Sequence, residues 1–166
     1  MPEKRTIERA RRDKRQGKSP STQAGEFVRE EIEHVRSGKH GARSPKQAIA
    51  IGLSKARRAG VRLPPPKKGK APEKSRRNAA RAYDKGQHGD GQVSTKRARA
   101  TAQALKREPR GTASREALSR QTRSAARTRS SSDRSEAARK AARTKGPAAR
   151  SAAARKAART RARKTS

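Results

Sequence analysis

Ala137-Ala138-Arg139-Lys140-Ala141-Ala142-Arg143-Thr144 recurs unchanged, sixteen residues further on, as Ala153-Ala154-Arg155-Lys156-Ala157-Ala158-Arg159-Thr160. The chemistry open to such a repeat is neutralisation of phosphate. Arg and Lys carry permanent charge at neutral pH, and contact with a nucleic-acid backbone releases its condensed counterions whatever the base sequence. Residues 134–166 hold twelve Lys/Arg against one acid, a density too costly for a merely solubilising tail. Arg139, Lys140, Arg143, Arg155, Lys156 and Arg159 are therefore the candidate nucleic-acid contacts, with Arg57 and Arg58 joining them from the front half.

Other groupings point to less. Glu31 and His34 stand at the Glu-x-x-His spacing that places a carboxylate and an imidazole on one helix face. Di-metal bundles need two such pairs and two further carboxylates. With one copy, a solvated helix face is expected. His34, His40 and His88 have no cysteine to complete a ligand set. Gly86, Gly89 and Gly91 follow no strand, so they do not make a dinucleotide loop. No Ser/His/Asp grouping rises above chance. The expectation is a non-enzyme without cofactor or metal.

The totals agree. Among 166 residues, 48 Lys/Arg face 14 Asp/Glu, a formal charge of +34. Such a chain repels itself until a polyanion neutralises it. Only 28% of residues are apolar, with one Phe, one Tyr, no Trp and no Cys. Low hydrophobicity with high net charge predicts disorder over much of the chain. The absence of cysteine excludes disulfides and thiolate metal sites. No apolar run approaches the roughly 20 residues of a membrane span, and a basic interfacial helix would need a strong apolar face. Membrane is thus not an expected partner. The charged N-terminus does not read as a signal peptide, which places the protein in the cytoplasm, on the nucleoid if bacterial. Single-strand binders stack bases on aromatics, and Phe27 and Tyr83 offer little.

The elements that must hold these residues divide the chain into five stretches. Residues 1–21 read as a polar N-terminal segment, and 22–63 as a helical hairpin. In it Ala24, Phe27, Val28, Ile32 and Val35 share one face of a helix over about 22–37. Glu26, Glu30, Glu31 and Glu33 make that helix nearly neutral or negative. Ser44-Pro45-Lys46-Gln47 reads as a capping box opening a second helix, which runs to about Ala59 and stops at Gly60, with Val61 and Leu63 folding back. Ser44-Pro45-Lys46 also resembles the Ser-Pro-basic elements of histone tails that lie in the minor groove, but capping is the preferred reading. A hairpin this small is marginal alone, so a homodimer through 22–63 is a possible partner arrangement. Residues 64–72 read as a stiff Pro/Lys linker, 73–133 as a basic helix-prone region, and 134–166 as the repeat tail. Within 73–133, helices are expected near 73–84, from Ser94 to about Glu108, and around Leu118, with a plain break at Gly86–Gly91. The predicted fold class is mainly α: a small helical hairpin with a long, largely disordered basic arm that turns helical on DNA.

Two resemblances bear on these stretches. The tail, over about 94–166, is similar in composition to the Ala/Lys/Arg/Pro tails of linker histones and of bacterial linker-histone-like proteins. The run from Glu26-Phe27-Val28-Arg29 through Gly38-Lys39-His40-Gly41 to Ser44-Pro45-Lys46-Gln47-Ala48-Ile49 and Ala59-Gly60 resembles an uncharacterised family of small basic bacterial proteins, over about 1–70. Its members often carry labels such as plasmid stabilisation or DNA-binding protein. The expected function is non-sequence-specific binding and compaction of double-stranded DNA, nucleoid-associated or histone-like, with plasmid maintenance one setting. RNA or ribosome binding is the first alternative. A protein adaptor using helix 22–37, with the tail as a nucleic-acid tether, is the second.

Overall fold

A computed structural model describes residues 2–89 and 94–165, and every regular element among them is helical. The chain divides into two units, the first ending at Gln121 and the second beginning at Thr122.

The first helix, α1 (Lys4–Arg15), lies where a polar segment is expected. Thr6, Ala10 and Asp13 recur at spacings of four and three, and all three are buried. This face is made of small and polar side chains rather than large apolar ones, so hydrophobic periodicity alone passes over it. Arg9 Nε lies 2.7 Å from Glu26 Oε2 and ties α1 to the next helix. That helix, α2 (Pro20–Arg36), starts earlier than its apolar stripe because Ser19 accepts a hydrogen bond from Thr22 N–H and Pro20 takes the first helical position. Gly38, at φ 75°, turns the chain away from its end.

In α3 (Pro45–Arg58), Ser44 accepts from Gln47 N–H at 3.3 Å, so the serine does cap. The Gln47 side chain reaches back one residue beyond the capping-box partner and accepts from Arg43 N–H at 2.6 Å. Gly60 takes φ 85°, and Val61 folds back into a core of Ala10, Ala24, Phe27 and Ala56, flanked by Ile7, Leu53 and Leu63. The Pro64–Pro66 run does not carry the chain away. Beyond it, α4 (Glu73–His88) returns to pack on α3 through Ala79 and Ala82. Gly86 belongs to this contact rather than to a break: a Cβ there would collide with the Arg57 carbonyl.

After α5 (Thr95–Lys106), the chain docks on the α2–α3 connection. Gly41 N–H donates to the Leu105 carbonyl at 2.8 Å and Ala42 N–H to Pro109 at 3.0 Å. Thr112 Oγ1 donates to Ala42 at 2.8 Å, and Arg36 Nε to Ala113 at 2.8 Å. A 3-10 turn at Gly111–Ala113 thereby places Ala113 in a second small core with Val35, Ala42 and Ala48. Ser114 then caps α6 (Arg115–Arg127), accepting from Ala117 N–H at 3.1 Å. In the second unit, α7 runs from Ser131 to Thr165 with a kink at Gly146, where φ is 68° and ψ 169°.

The expected fold class needs correction. The chain is mainly α, but no long disordered arm follows the front domain: residues 73–88, 95–106, 115–127 and 131–165 are helical. Two physical reasons account for this. Alanine, arginine and lysine all have high intrinsic helix propensity, which outweighs repulsion between neighbouring turns. And the low apolar content is not a bar to packing in the first unit, because its cores are built largely of alanine methyls at close helix crossings. The pair of helices expected over 22–63 packs with further elements of the first unit, α1 against α2 and α4 against α3.

Two glycines report on that closeness with opposite signs. A Cβ at Gly52 would lie 2.7 Å from Val28 Cα, backbone against backbone, whereas one at Gly25 would meet nothing within 4 Å. Gly52→Ala should lower unfolding free energy by about 1–3 kcal/mol through overpacking. Gly25→Ala, on an exposed helix position, should raise it by about 0.5–1 kcal/mol. Equilibrium urea unfolding checks both.

Candidate functional sites: a basic surface and a carboxylate–histidine cluster

The repeat copies fall one on each side of the kink in α7. Arg139, Lys140 and Arg143 lie before Gly146, and Arg155, Lys156 and Arg159 after it; all six are exposed. Within each copy the two arginines stand four apart, on one side of the helix, with the lysine about 100° round from the first. From Ala137 to Ser166 the sequence contains no Asp or Glu. The second unit therefore presents helical, outward-facing cations with no acid of their own segment to offset them.

The two front-half arginines separate. Arg58 is exposed, as a phosphate contact requires. Arg57 is buried, and this removes it from the candidate surface. Its Nε donates to the Leu63 carbonyl at 3.1 Å and its guanidinium NH2 to Pro64 at 3.3 Å. Burial pulls its pKa below the ordinary arginine value. Its work is to pin the chain leaving α3 so that the proline run turns back toward α4. Adjacent arginines at a helix end look alike in sequence; the position facing Leu63 becomes evident only once α4 is in place.

The second constellation is one that periodicity assigns to solvent. Glu31 is fully buried rather than on a solvated face, and Glu30 beside it is 2% exposed. Lys55 of α3 reaches both, with Nζ 2.6 Å from Glu31 Oε2 and 3.5 Å from Glu30 Oε1. Glu30 Oε2 also accepts from the backbone N–H of Glu3 at 3.1 Å. The α2–α3 connection brings in His40, whose Nε2 lies 3.2 Å from Glu31 Oε1. His34 Nε2 is 2.9 Å from Glu3 Oε1, and Lys39 Nζ is 2.9 Å from the same oxygen. Lys39 first and His34 second hold the Glu3 carboxyl down at about 2. The two imidazoles meet edge to face, centroids 5.8 Å apart, and ligand atoms of Glu31, His34 and His40 all lie within 4.8 Å of one another. His88 stands apart, its Nδ1 on the Asp84 carbonyl of its own helix. The Glu-x-x-His spacing was the sequence signal for this cluster. Its third member came from the connection after α2, which no spacing rule joins to it.

Phe27, Glu30, Glu31 and Val35 of α2 are all buried. Among the described residues no helix is long and apolar enough to cross a membrane.

Arg57→Met should leave the Leu63 and Pro64 carbonyls without their donor and cost about 1–3 kcal/mol of stability. Arg58→Met should stay within about 0.5 kcal/mol of the parent. Thermal and urea unfolding of the two variants side by side tests this division of roles. A family model described as "Family of unknown function (DUF6496)" matches residues 3–68, which hold α1, α2, α3 and the carboxylate–histidine cluster and stop short of α4. No curated protein and no solved structure matches the chain.

Proposed function

We propose that this protein binds double-stranded DNA through its phosphate backbone, without reading base sequence, and compacts it, working on the nucleoid and catalysing no reaction. The observation that carries the proposal is the pair of identical, exposed Arg/Lys sets on α7, in a segment without acids. Backbone contacts of this kind give affinity and position but carry no sequence information. Reading bases takes side chains held in a groove with bidentate geometry, most often Arg on guanine or Asn and Gln on adenine. The twin copies offer repetition instead. Two sets of cations on separate helical stretches can engage two lengths of backbone, which is what compaction asks of a single chain. Arg58 at the end of α3 adds a cation from the first unit.

Binding of the full chain to equal-length duplex DNA, duplex RNA and single strands across a salt series tests the proposal. Tightest binding to duplex DNA, no preference among DNA sequences and a steep salt slope are expected. Replacing Arg139, Lys140 and Arg143 by Gln should lower the slope of log K against log salt by about 2.5–3. The same change at Arg155, Lys156 and Arg159 should lower it by a similar amount, and Arg58→Gln by about 0.9. Preference for duplex RNA, or a slope insensitive to both triple substitutions, would overturn the proposal.

A further inference from the structure

The His40 ring poses a chemical problem that points to a ligand. Its Nδ1 lies 3.0 Å from the Gly41 carbonyl oxygen. A carbonyl cannot donate, so Nδ1 carries the hydrogen, and in the neutral ring Nε2 is a bare lone pair. That lone pair faces Glu31 Oε1 at 3.2 Å. Two acceptors face one another in a protected site, since Glu31 is fully buried and the His40 side chain 15% exposed. Among the described residues, neither Glu31 oxygen has a hydrogen-bond partner; Oε2 has its ion pair with Lys55, and Oε1 has only the imidazole. Either hydrogen on both ring nitrogens or a bound cation between Nε2 and Oε1 makes the arrangement favourable.

We propose that Glu31, His34 and His40, whose ligand atoms lie within 4.8 Å of one another, form a site for one divalent cation of the zinc class, with Glu3, now on His34, drawn in as the fourth ligand. Neutral imidazole and carboxylate are the ligands zinc takes, usually four in a tetrahedron with bonds of about 2.0–2.2 Å, which sets ligand atoms about 3.3 Å apart. Two nitrogen–oxygen edges, 3.2 Å for His40–Glu31 and 2.9 Å for His34–Glu3, lie near that value, and the ligand atoms of Glu31, His34 and His40, within 4.8 Å of one another, close in on the ion. The hydrogen bond from His40 Nδ1 to Gly41 is the outer contact that orients a metal-binding histidine and fixes its tautomer. Lys39, now on Glu3 Oε1, gives way to the cation, while Lys55 keeps Glu31 Oε2. The ligands come from the residue before α1, from α2 and from the α2–α3 connection, so the ion joins three segments of the first unit. Its role is structural: four protein ligands leave no open position for substrate. This inference stands independently of DNA binding.

The test uses the full chain, free of any N-terminal extension, titrated with zinc against a chromogenic chelator at pH 7.5 in high salt. One zinc per chain, with micromolar or tighter affinity, is expected, and zinc should raise the melting temperature. His34→Ala and His40→Ala should each weaken binding at least a hundredfold and abolish the thermal shift. Circular dichroism confirms that each variant keeps its helices. His88→Ala, remote from the cluster, should bind as the parent does. Cobalt in place of zinc should show the strong visible absorption of a four-coordinate ion. Absence of stoichiometric zinc, affinity indifferent to both histidine substitutions, or cobalt retaining its weak six-coordinate spectrum would overturn the site and leave a proton as the cation between His40 and Glu31.

Discussion

The first unit depends on two carboxylates of α2 being held inside by one lysine of α3. Glu30 and Glu31 are buried, Lys55 Nζ lies 2.6 Å from one and 3.5 Å from the other, and the α2–α3 crossing is the most extensive in the fold. Such a pair adds little when compared with apolar residues of the same volume, yet removing one partner leaves a buried charge uncompensated, at a cost of about 3–5 kcal/mol. The register of α2 against α3 is therefore enforced more by what misplacement would expose than by net attraction. The apolar contribution is modest: one phenylalanine, a few branched side chains and many alanines. Close approach at Gly52 and Gly86 lets these small residues exclude water.

That constraint explains where the acids lie. In a chain with 48 Lys/Arg and 14 Asp/Glu, four of the acids sit on α2. Three of them face inward, pairing with Arg9, Lys55 and His40. They cancel charge where a small helical unit would otherwise repel itself apart. Beyond Glu136 no acid remains, and there α7 needs none to fold, because it packs few side chains and relies on alanine. One chain thus contains two ways of tolerating positive charge: internal neutralisation in the first unit, and exposure awaiting an external polyanion in the second.

Much of α3 was legible in sequence because its signals are local. Ser44, Pro45 and Gly60 act within a turn of their own positions, and the fold-back of Val61 follows from them. The apolar stripe of α2 was legible for the same reason, although its cap, Ser19-Pro20, a counterpart of Ser44-Pro45, lies within the stretch read as a polar N-terminal segment. What local signals could not carry was the role of polar residues in packing. Thr6 and Asp13 look solvated until α2 lies against them, and Glu31 looks solvated until Lys55 and His40 arrive from elsewhere in the chain. The six repeat cations lie exposed, as Arg and Lys do by default. Arg57 departed from that default through carbonyls six and seven residues away. The helical state of the later segments was misjudged by weighing net charge above alanine content.

The kink at Gly146, with Pro147 beside it, has a bearing on how such a segment can change over time. In a helix locked into a core, inserting residues rotates everything downstream and ruins the packing. Here each copy is set off from the other by a joint that already accepts a change of direction, and all six repeat cations face outward. A sixteen-residue cassette can be duplicated or lost at that joint without misaligning any buried side chain. The length and charge of α7 are thus free to drift in whole-copy steps, while the front unit stays under the far tighter control of its buried carboxylates.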